Sequence, residues 1–158
     1  MRSFRYTGIP TALADEARRT QRSPQYGHPA HRELAQSYGP CRLCLRTFAI
    51  GDEDRLLFTY QPFSEAGSLP APGPVFIHAN HCERFSASTL PQDFRRLPLV
   101  IEGFRGGGTL AVQTRVAAED PEAVVARVFA EPGVEYAHIR NGEAGCFMAR
   151  IDRHDGDD

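Results

Sequence analysis

The sequence predicts an α+β fold in which an antiparallel sheet carries a helix on one face, together with a zinc-knuckle and β-hairpin segment. Two observations lead to this prediction. Residues 91–151 have the order strand, strand, helix, strand, strand. Earlier in the chain, two groups of cysteine and histidine at 41–44 and 78–82 have a spacing typical of a structural zinc site.

The first two strands of the later segment are predicted by apolar alternation around a glycine turn. Residues 97–103 and 109–116 alternate, and the glycines at 106–108 lie between them, which indicates a hairpin. In the returning strand, the period of two places Leu110 on the same face as Val112. The glycine run lacks the helix that a phosphate-binding loop needs, so a turn is the better interpretation.

A helix and a last strand pair follow this hairpin. Asp120 and Pro121 suit the cap and the first position of a helix. Its apolar stripe is formed by Val124, Val125, Val128 and Phe129. Residues 134–139 and 146–151 then flank an Asn-Gly turn at 141–142, which predicts two antiparallel strands.

The first half of the chain is predicted with less regular structure. A short helix runs from Thr11 to about Thr20, and the polar, proline- and glycine-broken residues 21–40 are mostly loop. Strands at 55–61 and 74–78 flank a loop rich in proline, glycine and serine.

The length of 158 residues suits a single domain, 1–158. Its predicted segments are a helix and polar loop at 1–40, the zinc-knuckle and hairpin segment at 41–90, the ββαββ segment at 91–151, and a frayed acidic tail at 152–158. No apolar run is long enough to span a membrane, and the N-terminus lacks the apolar stretch of a secretory signal. We therefore expect a cytoplasmic protein, in which cysteines serve as metal ligands or reduced thiols more often than as disulfides.

All eighteen basic residues are arginine. The absence of lysine excludes Schiff-base chemistry and a phosphate-binding lysine, and is typical of a GC-rich bacterial genome. Residues 1–46 hold eight arginines against three acids, a net charge of +5, but the four aromatic residues among them are too few to form a stacking platform. A basic segment that packs on its own acidic body is therefore favoured over a nucleic-acid surface.

The candidate metal ligands are Cys41, Cys44, His78 and Cys82. Two residues between thiolates allow one tight turn to aim both sulfurs at a single point, and the second pair completes a tetrahedron. The layout is similar to that of treble-clef zinc modules, in which a short helix begins at the second pair. His81 is an alternative to His78. Four protein ligands would make the zinc structural, because catalytic zinc keeps an open position.

Thiol redox chemistry is an alternative for the Cys41–Cys44 pair. A thioredoxin-type motif requires a preceding strand and a helix N-terminus at the first cysteine, which lowers the pKa of that thiol. The pair instead follows a proline- and glycine-containing loop, so the metal interpretation is preferred.

The last hairpin contains a candidate anion site. His138 and Arg140 share one face of the first strand, and Cys146 and Arg150 share one face of the second. If the register brings these faces together, they would suit a phosphate or carboxylate, and Cys146 could act as a nucleophile. The alternative is structural: a small buried cysteine, and arginines paired with acidic residues.

Several segments of the chain form a further pattern: Gly39-Pro40-Cys41-Arg42-Leu43-Cys44-Leu45, Gly51, Pro74-Val75-Phe76-Ile77-His78, His138-Ile139-Arg140-Asn141, Gly145-Cys146 and Arg150. In these segments the chain resembles the bacterial domain-of-unknown-function family 1203, from roughly residue 39 to residue 153. The resemblance implies a fold and no mechanism. It also implies that any function shared across the family involves Arg42, Arg140, Asn141, Cys146 and Arg150.

The sequence as a whole predicts a small bacterial cytoplasmic protein, a binding or interaction module stabilised by zinc. The first alternative is an enzyme or binder that acts on a small anionic molecule through the Arg140/Cys146 face, and the second is a thiol redox protein. No catalytic motif identifies a reaction. A protein partner or a small anionic ligand is compatible with the sequence, and a nucleic acid is not favoured.

Overall fold

The computed structural model describes residues 3–63 and 72–154. These residues form nine strands and two α-helices: β1 (Ser3–Thr7), α1 (Thr11–Thr20), β2 (His31–Leu34), β3 (Asp54–Tyr60), β4 (Gly73–His78), β5 (Ser86–Ala87), β6 (Leu99–Arg105), β7 (Thr109–Arg115), α2 (Pro121–Ala130), β8 (Tyr136–Asn141) and β9 (Phe147–His154). A six-stranded sheet has the order β5-β1-β9-β8-β6-β7, and a three-stranded sheet has the order β2-β3-β4. All strand pairs are antiparallel, which confirms the predicted α+β class.

Helix α2 packs on one face of the six-stranded sheet, as predicted. It begins where expected, since the Asp120 side chain accepts a hydrogen bond from the backbone N–H of Glu122 at 3.2 Å and Pro121 occupies the first helical position. The four residues of its predicted apolar stripe are all buried. They share one core with Ile101 of β6, Ile139 of β8 and other sheet residues.

The predicted facing of Leu110 is wrong because β7 contains a bulge. Gly103 pairs with Val112, but Phe104 pairs with Leu110, so Ala111 is an extra residue in the ladder. The period of two is broken at this point. Leu110 is 47% exposed, whereas Val112 packs against the core.

Three strands, β1, β2 and the two-residue β5, were not predicted, and one strand is longer than predicted. β1 lies between β5 and β9 in the large sheet, and β2 lies within the segment 21–40 that was predicted as loop. β2 is an edge strand with three exposed residues, so it has no apolar alternation that a sequence pattern could reveal. β9 continues through the start of the predicted frayed tail to His154, because β1 pairs with it.

Helix α1 has the predicted bounds and packs on a second core beside the three-stranded sheet. Its inward residues are Ala14 and Ala17, both fully buried. Most of the predicted loop between β3 and β4 lies outside the described residues. Among those that the structure describes, neither helix has the length and apolar content needed to cross a membrane.

Gly8 marks the crossing of β1 and the cysteine-bearing turn at 41–44. The N–H of Ile9 donates to the carbonyl of Arg42 at 2.9 Å, which draws the two backbones together. A Cβ atom at Gly8 would lie only 2.1 Å from the carbonyl oxygen of Leu43. A side chain at this position therefore requires one of the two backbones to move.

We expect Gly8→Ala to lower the free energy of unfolding by at least about 1–3 kcal/mol, the usual cost of overpacking, because the clash is with backbone. Gly73→Ala is the matched control, since a Cβ there meets no atom of the described residues within 4 Å and its φ is not positive. The control should change stability by less than about 1 kcal/mol. Denaturant unfolding of both variants measures the difference, and equal stabilities would contradict the crossing.

Candidate metal centre

The first two candidate ligands lie on a tight turn. Residues 42–44 form the turn, and the N–H of Leu45 donates to the carbonyl of Cys41 at 2.9 Å. Leu45 has a φ of +61°, which reverses the chain direction. The N–H of Cys41 donates in turn to the carbonyl of Arg46 at 2.9 Å, so both ends of the turn are fixed.

The other two ligands come from β4 and the segment after it. His78 is the last residue of β4, and its backbone N–H donates to the sulfur of Cys41 at 3.3 Å. Cys82 follows a bend at 79–80. The turn is held against β4 by a further bond, from the N–H of Arg42 to the carbonyl of Phe76 at 2.8 Å.

The four candidate ligand atoms converge. One atom from each of Cys41, Cys44, His78 and Cys82 lies within 4.8 Å of all the others. The Sγ atoms of Cys41 and Cys82 are 3.9 Å apart, and the Sγ of Cys44 is 3.4 Å from the Nδ1 of His78. Zinc–sulfur bonds of about 2.3 Å in a tetrahedron place two sulfurs about 3.8 Å apart, so the group has the dimensions of a tetrahedral metal site.

Burial and neighbours also suit a metal site. Cys41, Cys44 and His78 are buried, and Cys82 is half-buried. The Nε2 of His78 lies 3.0 Å from a carboxylate oxygen of Glu53. A hydrogen bond to this carboxylate holds a proton on Nε2 and directs Nδ1 toward the sulfurs, where a bound cation would displace the Nδ1 proton.

Glu53 is held in its ionised form. The backbone N–H of Ala49 donates to the Glu53 carboxylate at 2.9 Å, which lowers the pKa of that carboxyl, and the hydrogen bond with His78 acts in the same direction. Neither this carboxylate nor Arg18 was singled out from the sequence. Glu53 lies in a turn signal and Arg18 on a helix, so no local pattern marks them.

Arg18 of α1 approaches the group from another side. Its guanidinium donates to the sulfur of Cys82 at 3.2 Å and to the carbonyl of His78 at 3.1 Å. The positive charge of Arg18 therefore lies directly beside one of the candidate ligands.

The short distances between the cysteine sulfurs and His78 shift the pKa values of Cys41, Cys44 and His78. Burial alone would raise the pKa of Cys41, but hydrogen bonds from Cys44, Cys82 and His78 outweigh it and lower that pKa. The pKa of Cys44 is raised, first by its hydrogen bond with Cys41. The hydrogen bond with Cys41 also raises the pKa of His78 to about 10. Three neighbouring sulfurs become negative together only when a cation neutralises them.

His81, the alternative ligand, is placed elsewhere. Its side chain is 76% exposed, and its Nε2 lies 3.0 Å from a carboxylate oxygen of Glu83. The treble-clef likeness is partial, since residues 79–85 contain no helix after the second pair. No helix begins at Cys41 either, so the thiol redox alternative lacks the helix N-terminus that it requires.

Three of the predicted anion-binding residues line one cavity. Arg42, Arg140 and Cys146 border a space of about 500 Å³ at the start of β9. The guanidinium of Arg42 donates to the sulfur of Cys146 at 3.0 Å and to the carbonyl of Phe147 at 2.6 Å. The turn, β8 and the loop before β9 therefore bring these side chains to one place.

The four residues predicted to share one face of the last hairpin, His138, Arg140, Cys146 and Arg150, are only partly brought together. His138 pairs with Arg150, but a bulge makes Arg140 pair with Phe147, so Met148 turns into the core. Arg150 lies over the Tyr136 ring, 4.3 Å from its centroid, and pairs with Asp152.

Asn141 shapes the turn that follows β8. Its side-chain oxygen accepts hydrogen bonds from the N–H groups of Glu143 and Ala144, each at 2.8 Å. His138, Asn141 and Arg150 are not among the residues that line the cavity with Arg42.

His138 lies in an aromatic cluster. The rings of Phe63, Phe104 and Phe147 are centred 4.8, 4.9 and 5.0 Å from its own. It is fully buried, and neither ring nitrogen has a hydrogen-bond partner among the described residues. Burial, with Arg140 and Arg150 nearby, lowers the pKa of His138 well below its usual value.

We expect His138 to make the protein less stable as the pH falls. The unfolded chain binds a proton near pH 6.5, whereas the folded chain does not until a much lower pH, so stability is present above about pH 6.5 and is lost below it. The loss reaches up to about 1.4 kcal/mol per pH unit. His138→Phe should remove this part of the slope when unfolding free energies are measured between about pH 8 and 5. His81→Gln, an exposed control, should keep the slope, and parallel curves for wild type and His138→Phe would contradict a neutral His138.

Comparison with known proteins gives a family and no activity. No curated protein and no solved structure matches this chain. The family model described as "Protein of unknown function (DUF1203)" matches residues 39–153, which include the cysteine-bearing turn, β4 and the last hairpin. The match covers well over half of the chain and the range expected from the sequence. The chain therefore belongs to the DUF1203 family of proteins of unknown function.

Proposed function

We propose that this protein binds one zinc ion through Cys41, Cys44, His78 and Cys82, and that the ion stabilises a small binding or interaction module. The observation that carries the proposal is the convergence of four ligand atoms within 4.8 Å of one another. The sequence supplies the same four residues at a spacing typical of zinc sites.

The ligand types favour zinc over other common cations. Three thiolates and one imidazole form a soft donor set, which suits zinc and is unsuited to magnesium or calcium. Four protein ligands fill a tetrahedral site and leave no position for a reactive water. The role that fits this arrangement is structural.

The neighbouring charges support the same proposal. Two positive charges of zinc and three thiolate charges leave one negative charge, and Arg18 supplies a compensating cation at the sulfur of Cys82. Glu53 orients His78 through its Nε2. The ion would link the cysteine-bearing turn to the end of β4 and, through Arg18, to α1.

A cavity beside the centre supports a binding role. It has a volume of about 670 Å³, and its lining includes Cys44 and Cys82 together with Arg46, Glu83 and Arg84. A metal on the cysteines would fix this wall of the cavity. The lining carries charge of both signs, which suits a polar partner surface.

We expect purified protein to contain about one zinc per chain, lost in both Cys44→Ser and His78→Ala, because removal of one ligand opens the tetrahedron. Elemental mass spectrometry measures the metal, and thermal unfolding should show the same two variants destabilised. His81→Ala is the matched control and should retain both the zinc and the stability. A metal-free wild type purified without chelator would overturn the proposal.

We also expect Glu53→Gln to weaken zinc binding by about 10–100-fold, because the carboxylate that orients His78 is lost. Competition with a chromophoric chelator gives the affinity. Glu83→Gln is the control, since Glu83 contacts the exposed His81 and should bind zinc as the wild type does. Equal affinities for the two variants would show that Glu53 does not act on the metal through His78.

A further inference from the structure

Arg42 is a buried cation without a carboxylate partner. It is 3% exposed, and its guanidinium donates to the carbonyls of Pro40 and Phe147 and to the sulfur of Cys146. No acidic side chain among the described residues forms an ion pair with it. A guanidinium has more N–H donors than these three bonds use. A buried charge of this kind is costly unless an anion compensates it.

Arg140, which lies near Arg42, has an N–H group that makes no hydrogen bond with any described residue. Its Nε pairs with Glu102, and its NH1 donates to the carbonyl of Gly145 at 3.1 Å. Its NH2 is buried and has no hydrogen-bond partner in the part of the chain that the structure describes. Glu102 also accepts a hydrogen bond from Gln113 at 3.0 Å, so the carboxylate that balances Arg140 is already shared.

The two arginines border one cavity. It has a volume of about 500 Å³, a size suited to a small molecule, and Cys146 lies on its wall. The rest of the lining is largely apolar and includes Tyr60, Val75 and Phe76. An apolar wall lowers the local dielectric and strengthens the attraction between an arginine and an anion. With Glu102 assigned to Arg140, the charge of Arg42 remains to be balanced.

We propose that this cavity binds a small molecule bearing a carboxylate or phosphate group, whose negative charge is received by Arg42 and Arg140 beside the thiol of Cys146. Guanidinium groups recognise both kinds of oxyanion through paired N–H donors. The site is separate from the metal centre and does not depend on the zinc proposal, because none of the four metal ligands lines this cavity.

The thiol of Cys146 allows a direct test with two alkylating reagents of similar size. Iodoacetate carries a carboxylate, and iodoacetamide is neutral. In both reactions the sulfur forms a bond to the CH₂ carbon, iodide leaves, and the thiol proton passes to the buffer. Peptide mass spectrometry measures the rate at Cys146 alone. The ratio of the two rates is divided by the same ratio for glutathione, which removes the intrinsic difference between the reagents.

We expect the normalised ratio at Cys146 to favour iodoacetate by at least about tenfold at about 0.15 M salt, because the cavity concentrates the anion. Arg140→Gln should lower it several-fold. Arg115→Gln is the matched control, since it removes an arginine that binds the carbonyl of Gly142 in the same turn but does not line the cavity. A wild-type ratio equal to that of glutathione, or an equal fall in both variants, would overturn the proposal.

Competition in the wild type tests the proposal without a variant and separates the two ligand classes. Inorganic phosphate and acetate are each added during alkylation of Cys146 by iodoacetamide, with chloride at matched ionic strength as reference. Slower alkylation with phosphate alone indicates a phosphate ligand, and slower alkylation with acetate alone indicates a carboxylate. Protection by both indicates a site for either oxyanion. If neither anion slows the reaction relative to chloride, the proposal is overturned.

Discussion

The cysteine-bearing turn at residues 41–44, together with Leu45 directly after it, is the constraint on which the rest of the structure depends. Leu43 packs in the core beside the three-stranded sheet, and Leu45 packs in the core under the six-stranded sheet. Cys41 and Cys44 face the metal group, while Arg42 points to the start of β9. Successive side chains of one short turn thus enter two cores, a candidate metal centre and a cavity.

This arrangement places close together several buried groups whose charge must be balanced by an opposite charge. Three sulfurs converge with His78 at this turn, and the buried guanidinium of Arg42 extends from the same turn to Cys146. Sulfur anions are balanced by a metal and by Arg18 in our proposal, and the charge of Arg42 is balanced by a bound oxyanion. Both proposals follow from the same principle, that a buried charge persists only beside an opposite one. The family match spans both sites but assigns a function to neither.

In the β8–β9 hairpin, the sequence pattern predicts the strands but not the bulge between them. The strands were predicted close to their observed positions, and His138 does pair with Arg150. The bulge next to Arg140 then moves Met148 into the core and puts Phe147 on the cavity side, beside His138. A bulge adds one residue to a ladder, so every facing beyond it is reversed. The same effect turned Leu110 outward in β7.

The sequence by itself determined the class of fold, helices α1 and α2, most of the strands and the three cysteines that converge with a histidine. These features depend on short-range signals: periodicity, caps, turns and ligand spacing. Only the tertiary structure decided that His78 and not His81 joins the cysteines, that Glu53 and Arg18 flank them, and that Arg42 meets Cys146. The contacts of Glu53, Arg18 and Arg42 each join residues more than twenty positions apart. The choice between the two histidines depends on where β4 ends. Such contacts depend on how strands cross and where bulges fall, and no local pattern in the chain records them.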